Sequence, residues 1–328
     1  MKVVVIGGTG HIDYALNGIK KNPTTLKLYG FASAVPGDMP DVKAKKMSLE
    51  FNVKKFGDWR EMLDVLQPDV AVIATRFDMN GIISLECLKR GINCFTEKTI
   101  AHSLKLLNEI KQAAKDNNVK IIGMHGMRYT SEFFAAYEAF QSGAIGEAVM
   151  LYGRKSYYFD SNRPGFYRQR ETYGGTILWV AVHALDWFYW FGGDVSEIYA
   201  TQTTKGNKGY GECEAATAIS VHFCNNSVGT ISADFLRAKN TSGHGDDQLR
   251  IAGDEGVIEV KYGKAILESH KSKPQELKLQ PEGDFFGDFC RSLYGEGKCR
   301  LSMEDTFRVS EMALIARDSA DTNQLIKT

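Results

Sequence analysis

The rhythm of apolar and polar positions changes near residue 124. Before it, short unbroken apolar runs alternate with segments of helical period. Val3–Ile6, Leu26–Ala32, Val53–Phe56, Val70–Ala74, Asn93–Phe95 and Lys120–Ile122 read as strands. Unbroken apolar runs mark strands buried on both faces, as at the centre of a parallel sheet. Between them, Ile12–Lys21, Trp59–Leu66, Gly81–Arg90 and Leu104–Asn117 read as helices, with Asp58 as a cap and Pro23 and Gly91 as stops. This alternation predicts an α/β domain with a doubly wound parallel sheet. After a helix over Ser131–Gln141, long strand-like segments follow: Ala148–Phe159, Val195–Thr204, Ala215–Cys224, Val228–Leu236, Gln248–Ala252 and Gly256–Lys261. Turn residues at Asn225-Asn226-Ser227 and Gly253-Asp254-Glu255-Gly256 suit hairpins. An α+β domain on a mostly antiparallel sheet is predicted there. The expected division is 1–123 and 124–328, with no repeat or low-complexity linker.

A chain of 328 residues suits two domains, and 43% hydrophobic with 24% charged residues is an ordinary globular balance. Forty basic residues offset forty acidic ones, so no charge footprint points to nucleic acid or an anionic membrane. The first apolar run ends at Gly7, too short for a signal peptide. Thr176–Phe191 is broken by His183 and Asp186 and is too short to span a bilayer. The six cysteines show no C-x-x-C spacing, which suits free thiols in a reducing cytoplasm. The seven histidines form no i,i+4 pair, and no metal site is expected.

The chemistry-bearing stretch is Lys2–Asp13, KVVVIGGTGHID. A buried strand breaks into Gly7-Gly8-Thr9-Gly10 and resumes as a helix. Glycines let a pyrophosphate approach the backbone, and the helix start offers N–H groups and positive charge. In the G-x-G-x-x-G fingerprint of a Rossmann domain, Gly8 and Gly10 fill two positions and Asp13 stands at the third. The flanking strand and helix favour a nucleotide cradle over a plain glycine-rich turn, with Gly8, Gly10, His11 and Ile12 as its candidates. An acidic residue for the ribose 2′-hydroxyl is expected at the end of the second strand, where Ser33 stands. A neutral hydroxyl does not repel a 2′-phosphate. NAD and NADP therefore both remain, with the balance toward NADP; no arginine follows directly, and Lys43, Lys45 and Lys46 are candidates for that phosphate, with a solvated helix face as their favoured reading. Thr75 and Arg76 end the fourth strand, where cofactor contacts fall in such a sheet.

Gly174–Gly193, GGTILWVAVHALDWFYWFGG, is apolar all round and predicts a helix buried all round. His183 and Asp186 share one face of it. Buried groups of this kind need partners or a cleft. A structural pair and a catalytic one fit equally well.

Together these segments resemble the glucose–fructose oxidoreductase/inositol dehydrogenase/MocA family over nearly the whole chain. The resemblance lies in VIGGTGHI, AVIAT, TEKTIA where the family has an E-K-P signature, SGAIGE, GGTILWVAVHALD and LSMEDTFRVSEMALIARDSA. It implies a two-domain NAD(P)-dependent oxidoreductase acting on a sugar, polyol or related compound. Lys98 matches the family's catalytic lysine, and His183 the histidine that takes the hydroxyl proton. Glu97 falls at the cofactor end of the site. Trp179, Tyr157, Arg168 and Asp186 are the substrate-side candidates. Alcohol oxidation needs such a base and a cation beside the developing alkoxide. The sequence departs from the family at Thr99, in place of proline, at Trp179, where many members carry aspartate, and at Ala181, in place of glycine.

Two other functions are carried beside the dehydrogenase or reductase. One is a hydrolase or lyase using tightly held NAD as a transient oxidant; the other is a non-catalytic ligand- or cofactor-binding protein on the same scaffold. The family resemblance also implies a homodimer or homotetramer joined through an open sheet face, for which Ala215, Ala218, Ile219, Val221 and Phe223 are candidates, with the core as an equal claimant. The expected partner is a small-molecule substrate.

Overall fold

The computed structural model describes residues 1–160, 163–241, 243 and 245–328. These form two compact units, Met1–Gly126 with Asp284–Phe307, and Met127–Gly283 with Arg308–Thr328.

The first unit runs β1 (Lys2–Ile6), α1 (Asp13–Lys21), β2 (Lys27–Ala32), α2 (Asp41–Phe51), β3 (Lys55–Phe56), α3 (Trp59–Leu66), β4 (Val70–Ile73), α4 (Phe77–Lys89), β5 (Asn93–Thr96), α5 (Leu104–Asp116) and β6 (Ile121–Gly123). The six strands pair in parallel in the order β3-β2-β1-β4-β5-β6. This is the expected Rossmann-type sheet. Val3–Ile6 and Val70–Ile73 are wholly buried, as their unbroken apolar runs require. The strand order reverses between β1 and β4, which places a binding crevice outside the carboxyl ends of these strands. Asp58 caps α3 by accepting from the Arg60 and Glu61 N–H groups at 2.7 and 3.0 Å. The α4 helix starts at Phe77, four residues before the expected Gly81.

The second unit contains α6 (Ser131–Gln141), β7 (Ala148–Tyr158), α7 (Arg170–Tyr173), a π-helical stretch Ile177–Ala181, α8 (Val182–Gly192), β8 (Val195–Thr203), β9 (Ala216–Phe223), β10 (Val228–Arg237), β11 (Gly245–Gly253), β12 (Gly256–Lys261), β13 (Lys264–Ser269) and β14 (Ser272–Glu276). Then come α9 (Phe285–Leu293), α10 (Met303–Thr322) and β15 (Ile326–Lys327). The nine-stranded sheet has the order β14-β13-β12-β11-β7-β10-β9-β8-β15. Only its β7–β10 pair is parallel among the described residues.

Two expectations change. Segment 284–307 packs with the first unit rather than with 124–283. The reason is aromatic: Phe285, Phe286 and Phe289 of α9 lie 4.9, 5.1 and 5.6 Å from the Phe95 ring of β5. On α1, a Cβ at Gly18 would stand 2.8 Å from Phe286 Cβ, so that glycine permits the helix contact. The second change concerns the sheet face. Ala215, Ile219, Val221 and Phe223 are core residues, and Phe223 meets Phe188 of α8 at 6.0 Å. The alternation of β9 leaves Ala218 and Ser220 exposed on the other face, where Met150, Tyr152, Tyr199 and Val228 are exposed on neighbouring strands.

Among the described residues no two cysteines are joined in a disulfide. Among the described residues no helix is long and apolar enough to cross a membrane.

Candidate active site

The glycine turn follows β1 and is tied to its neighbours by backbone bonds. Gly7 N–H donates to Ala32 O at 2.9 Å, Gly8 N–H to Asp38 O at 2.9 Å and Thr9 N–H to Ala74 O at 2.8 Å. The Thr9 hydroxyl donates to the Ala74 and Thr75 carbonyls at 3.0 and 2.7 Å. No side chain caps α1, whose first N–H groups follow directly on the glycine turn. Backbone N–H groups at the positive end of a helix make an anion cradle. Gly10 holds φ +55°, and a Cβ there would collide with the Glu97 carboxylate. These residues fit the diphosphate of a dinucleotide.

Glu97 follows β5 and is fully buried. It accepts from the His11 backbone N–H, and its Oε1 lies 2.8 Å from His11 Nδ1. The Lys98 N–H donates to Glu97 Oε2 at 3.2 Å, with Lys98 Nζ 4.0 Å from the same oxygen. Burial alone would raise this carboxyl. The charges of His11 and Lys98, with the His11 hydrogen bonds, outweigh burial and bring it down to about 2. Lys98 is only 1% exposed, although a lysine is rarely buried unless paired. Its peptide to Thr99 is cis. The Thr99 hydroxyl is buried and has no hydrogen-bond partner among the described residues.

Ser33 is half-buried just after β2. The N–H groups that follow it, of Ala34 and Val35, donate to Asp38 Oδ2 at 3.0 and 3.2 Å. The Thr75 hydroxyl donates to the same oxygen, and Asp38 Oδ1 is buried without a partner. Thr75 is wholly buried, its N–H held by Asn80 Oδ1 at 3.0 Å. The Arg76 guanidinium grips Asp78 at 2.6 and 2.7 Å. Lys43 is not on a solvated face: it is half-buried, with Nζ 2.9 Å from Gly8 O. Asp38 was missed on sequence because it stands five residues after the expected position, at the end of a Pro-Gly-Asp turn.

In the second unit, Trp179 lies in the π-helical stretch and is half-buried. Such stretches are rare and frequent at functional sites. One turn later His183 is 4% exposed on α8. Asp186 is committed to Arg128, whose Nε and Nη2 lie 3.0 and 2.7 Å from Asp186 Oδ1. Both partners are buried, and the guanidinium also lies 5.3 Å from the Trp190 ring. The partner that a buried Asp186 needs is therefore Arg128. Tyr157 lies on the helix-covered sheet face under Lys155, whose Nζ is 5.0 Å from its ring and 2.7 Å from Asp247 Oδ2. Burial pulls the Lys155 ammonium down, but Tyr157 and Asp247 reverse this and leave it raised. Arg168 is exposed, with its guanidinium over Tyr210 at 4.3 Å and Nη1 3.4 Å from Gly209 O. Among the described residues no three His, Cys, Asp or Glu side chains gather as metal ligands.

Residues 1–125 match the model of an oxidoreductase family with an NAD-binding Rossmann fold, and residues 133–259 match the model of the GFO/IDH/MocA C-terminal domain. A solved structure of a candidate oxidoreductase from Thermotoga maritima is 38% identical, covers 100% of both chains and superimposes with a TM-score of 0.95. An uncharacterized oxidoreductase from Streptococcus pneumoniae is 22% identical over 67% of this chain, and the match takes in 59% of that relative's own length. An inositol 2-dehydrogenase from Rubrobacter xylanophilus is 22% identical over 78% of this chain and 70% of its own.

Proposed function

Because this chain belongs to the GFO/IDH/MocA oxidoreductase family, we propose that it is a dehydrogenase or reductase of a small hydroxylated compound of the sugar or polyol class. The observation that carries this reading is the buried Lys98 beside Glu97, whose carboxylate is locked to the glycine turn through His11. A cation held this tightly at the end of β5 can polarise a hydroxyl oxygen and stabilise the alkoxide that develops on it. The nicotinamide cofactor supplies or receives the hydride. His183 is the base for the hydroxyl proton, and Trp179, one helical turn before it, offers a flat surface to a sugar ring.

Among the two cofactors, Asp38 supports NAD. The backbone N–H groups that could hold a 2′-phosphate beside Ser33 already donate to its carboxylate. A second negative group there would be repelled. The NADP preference expected from Ser33 alone gives way to this geometry in the proposal.

The open sheet face with Met150, Tyr152, Tyr199 and Val228 is the surface proposed for a second copy of the chain. A reducing cytoplasm suits its six thiols.

The test is a fluorescence titration of cofactor-stripped protein with NADH and NADPH, followed by a polyol and keto-sugar screen read as NADH formation or loss. Tight NADH binding with sustained NADH turnover supports the proposal. Product formation without net NADH would replace it by the hydrolase or lyase reading, and a folded protein that binds neither cofactor would remove it.

A further inference from the structure

The sequence poses a problem at Asp13. It places a carboxylate in the first turn of α1, beside the N–H groups that would hold a diphosphate. A negative charge there competes with an anionic ligand. The structure brings a counter-charge from another element. Lys43, in the first turn of α2, reaches back over the glycine turn and donates from Nζ to Gly8 O at 2.9 Å. Asp38 and Met39 draw the start of α2 into place: Asp38 O accepts the Gly8 N–H at 2.9 Å, and a Cβ on Gly8 would meet Met39 Sδ at 2.6 Å.

The Lys43 ammonium is thus anchored on the first glycine of the fingerprint, within the electrostatic reach of both Asp13 and Glu97. Burial pulls its pKa down, and those two carboxylates act to restore it. Lys20 and Lys46 line the same small recess with Asp13 and Glu50, but Lys20 is already bonded to Glu50 and Lys46 is exposed. Lys43 is the lysine of this recess that is fixed on the turn itself.

We propose that Lys43 is a cofactor-binding residue: it offsets Asp13 and supplies the positive charge that the diphosphate meets on the Gly8–Asp13 turn. This rests on the NAD-binding reading of the first unit and assigns a residue to it. A half-buried lysine is a better diphosphate partner than an exposed one, because nearby solvent and salt screen it less. The contact is to the diphosphate, which NADH and NADPH share, so it should not discriminate between them.

The experiment measures dissociation constants of NADH and NADPH over a salt series for the wild type, Lys43→Met, Lys43→Arg and Lys46→Met. Lys43→Met should weaken both dinucleotides about tenfold or more and flatten the salt dependence, in line with loss of one phosphate contact. Lys43→Arg should recover most of the affinity, and Lys46→Met should change little. Asp13→Asn probes the same balance from the other side and should tighten binding, more so when Lys43 is methionine. If the wild type binds and Lys43→Met binds equally well with the same salt dependence, the assignment of Lys43 is wrong while the NAD-binding reading stands. If the folded wild type binds neither dinucleotide, both fall together.

Discussion

Glu97 and His11 are joined twice: the carboxylate accepts the His11 backbone N–H, and its Oε1 lies 2.8 Å from the ring Nδ1. One residue follows β5 and the other belongs to the glycine turn after β1. The pair therefore fixes the cofactor cradle relative to Lys98, the next residue in the chain. It also makes the cradle sensitive to acid. The folded carboxyl titrates at about 2, below its ordinary 4.5, so ionised Glu97 adds stability above the ordinary value and loses it as pH falls toward 2. The shift corresponds to about 3 kcal/mol at most. Urea unfolding midpoints should fall between pH 5 and 2 in the wild type and change less over that window in Glu97→Gln. Parallel pH profiles of the two proteins would contradict this account.

Lys98→Met keeps most of the side-chain volume and removes the charge. Turnover should drop by roughly 100- to 10,000-fold, while NADH affinity and the circular dichroism spectrum change little. His183→Asn should lower turnover over the same range. Near-normal turnover in either variant would take that residue out of the chemistry.

The Arg128–Asp186 pair is buried and bidentate, and we propose that it contributes to the fold of the second unit. Asp186→Ala takes the carboxylate away from a buried guanidinium and should cost about 3–5 kcal/mol in chemical denaturation. Replacing both partners, as Arg128→Met with Asp186→Leu, should recover part of that loss. An Asp186→Ala protein of unchanged stability and raised KM would instead make Asp186 a substrate contact.

Asp38 should decide the choice of cofactor. The wild type should bind NADH more tightly than NADPH. Asp38→Ala frees the Ala34 and Val35 N–H groups and removes the repelling charge, so the ratio of the two dissociation constants should move toward NADPH by about tenfold. A fixed ratio in a stable variant would show that discrimination lies elsewhere.

The sequence by itself determined the strand–turn–helix start, the alternating α/β half and the mostly antiparallel half. Those follow from local pattern: unbroken apolar runs must be buried on both faces, and glycines mark where backbone approaches closely. It also placed Lys98, His183 and the glycine cradle on their elements, since family motifs are contiguous stretches. Tertiary structure decided what depends on residues far apart in the chain. Only the packing of Phe285, Phe286 and Phe289 around Phe95 returns 284–307 to the first unit. Only the fold turns Asp186 toward Arg128, 58 positions away. The cofactor site shows the same division. Asp13 and Ser33 alone argued for a weakened cradle open to a 2′-phosphate. The loop after β2 and the first turn of α2 bring in Asp38 and Lys43, whose charges act through space and leave no trace in local periodicity.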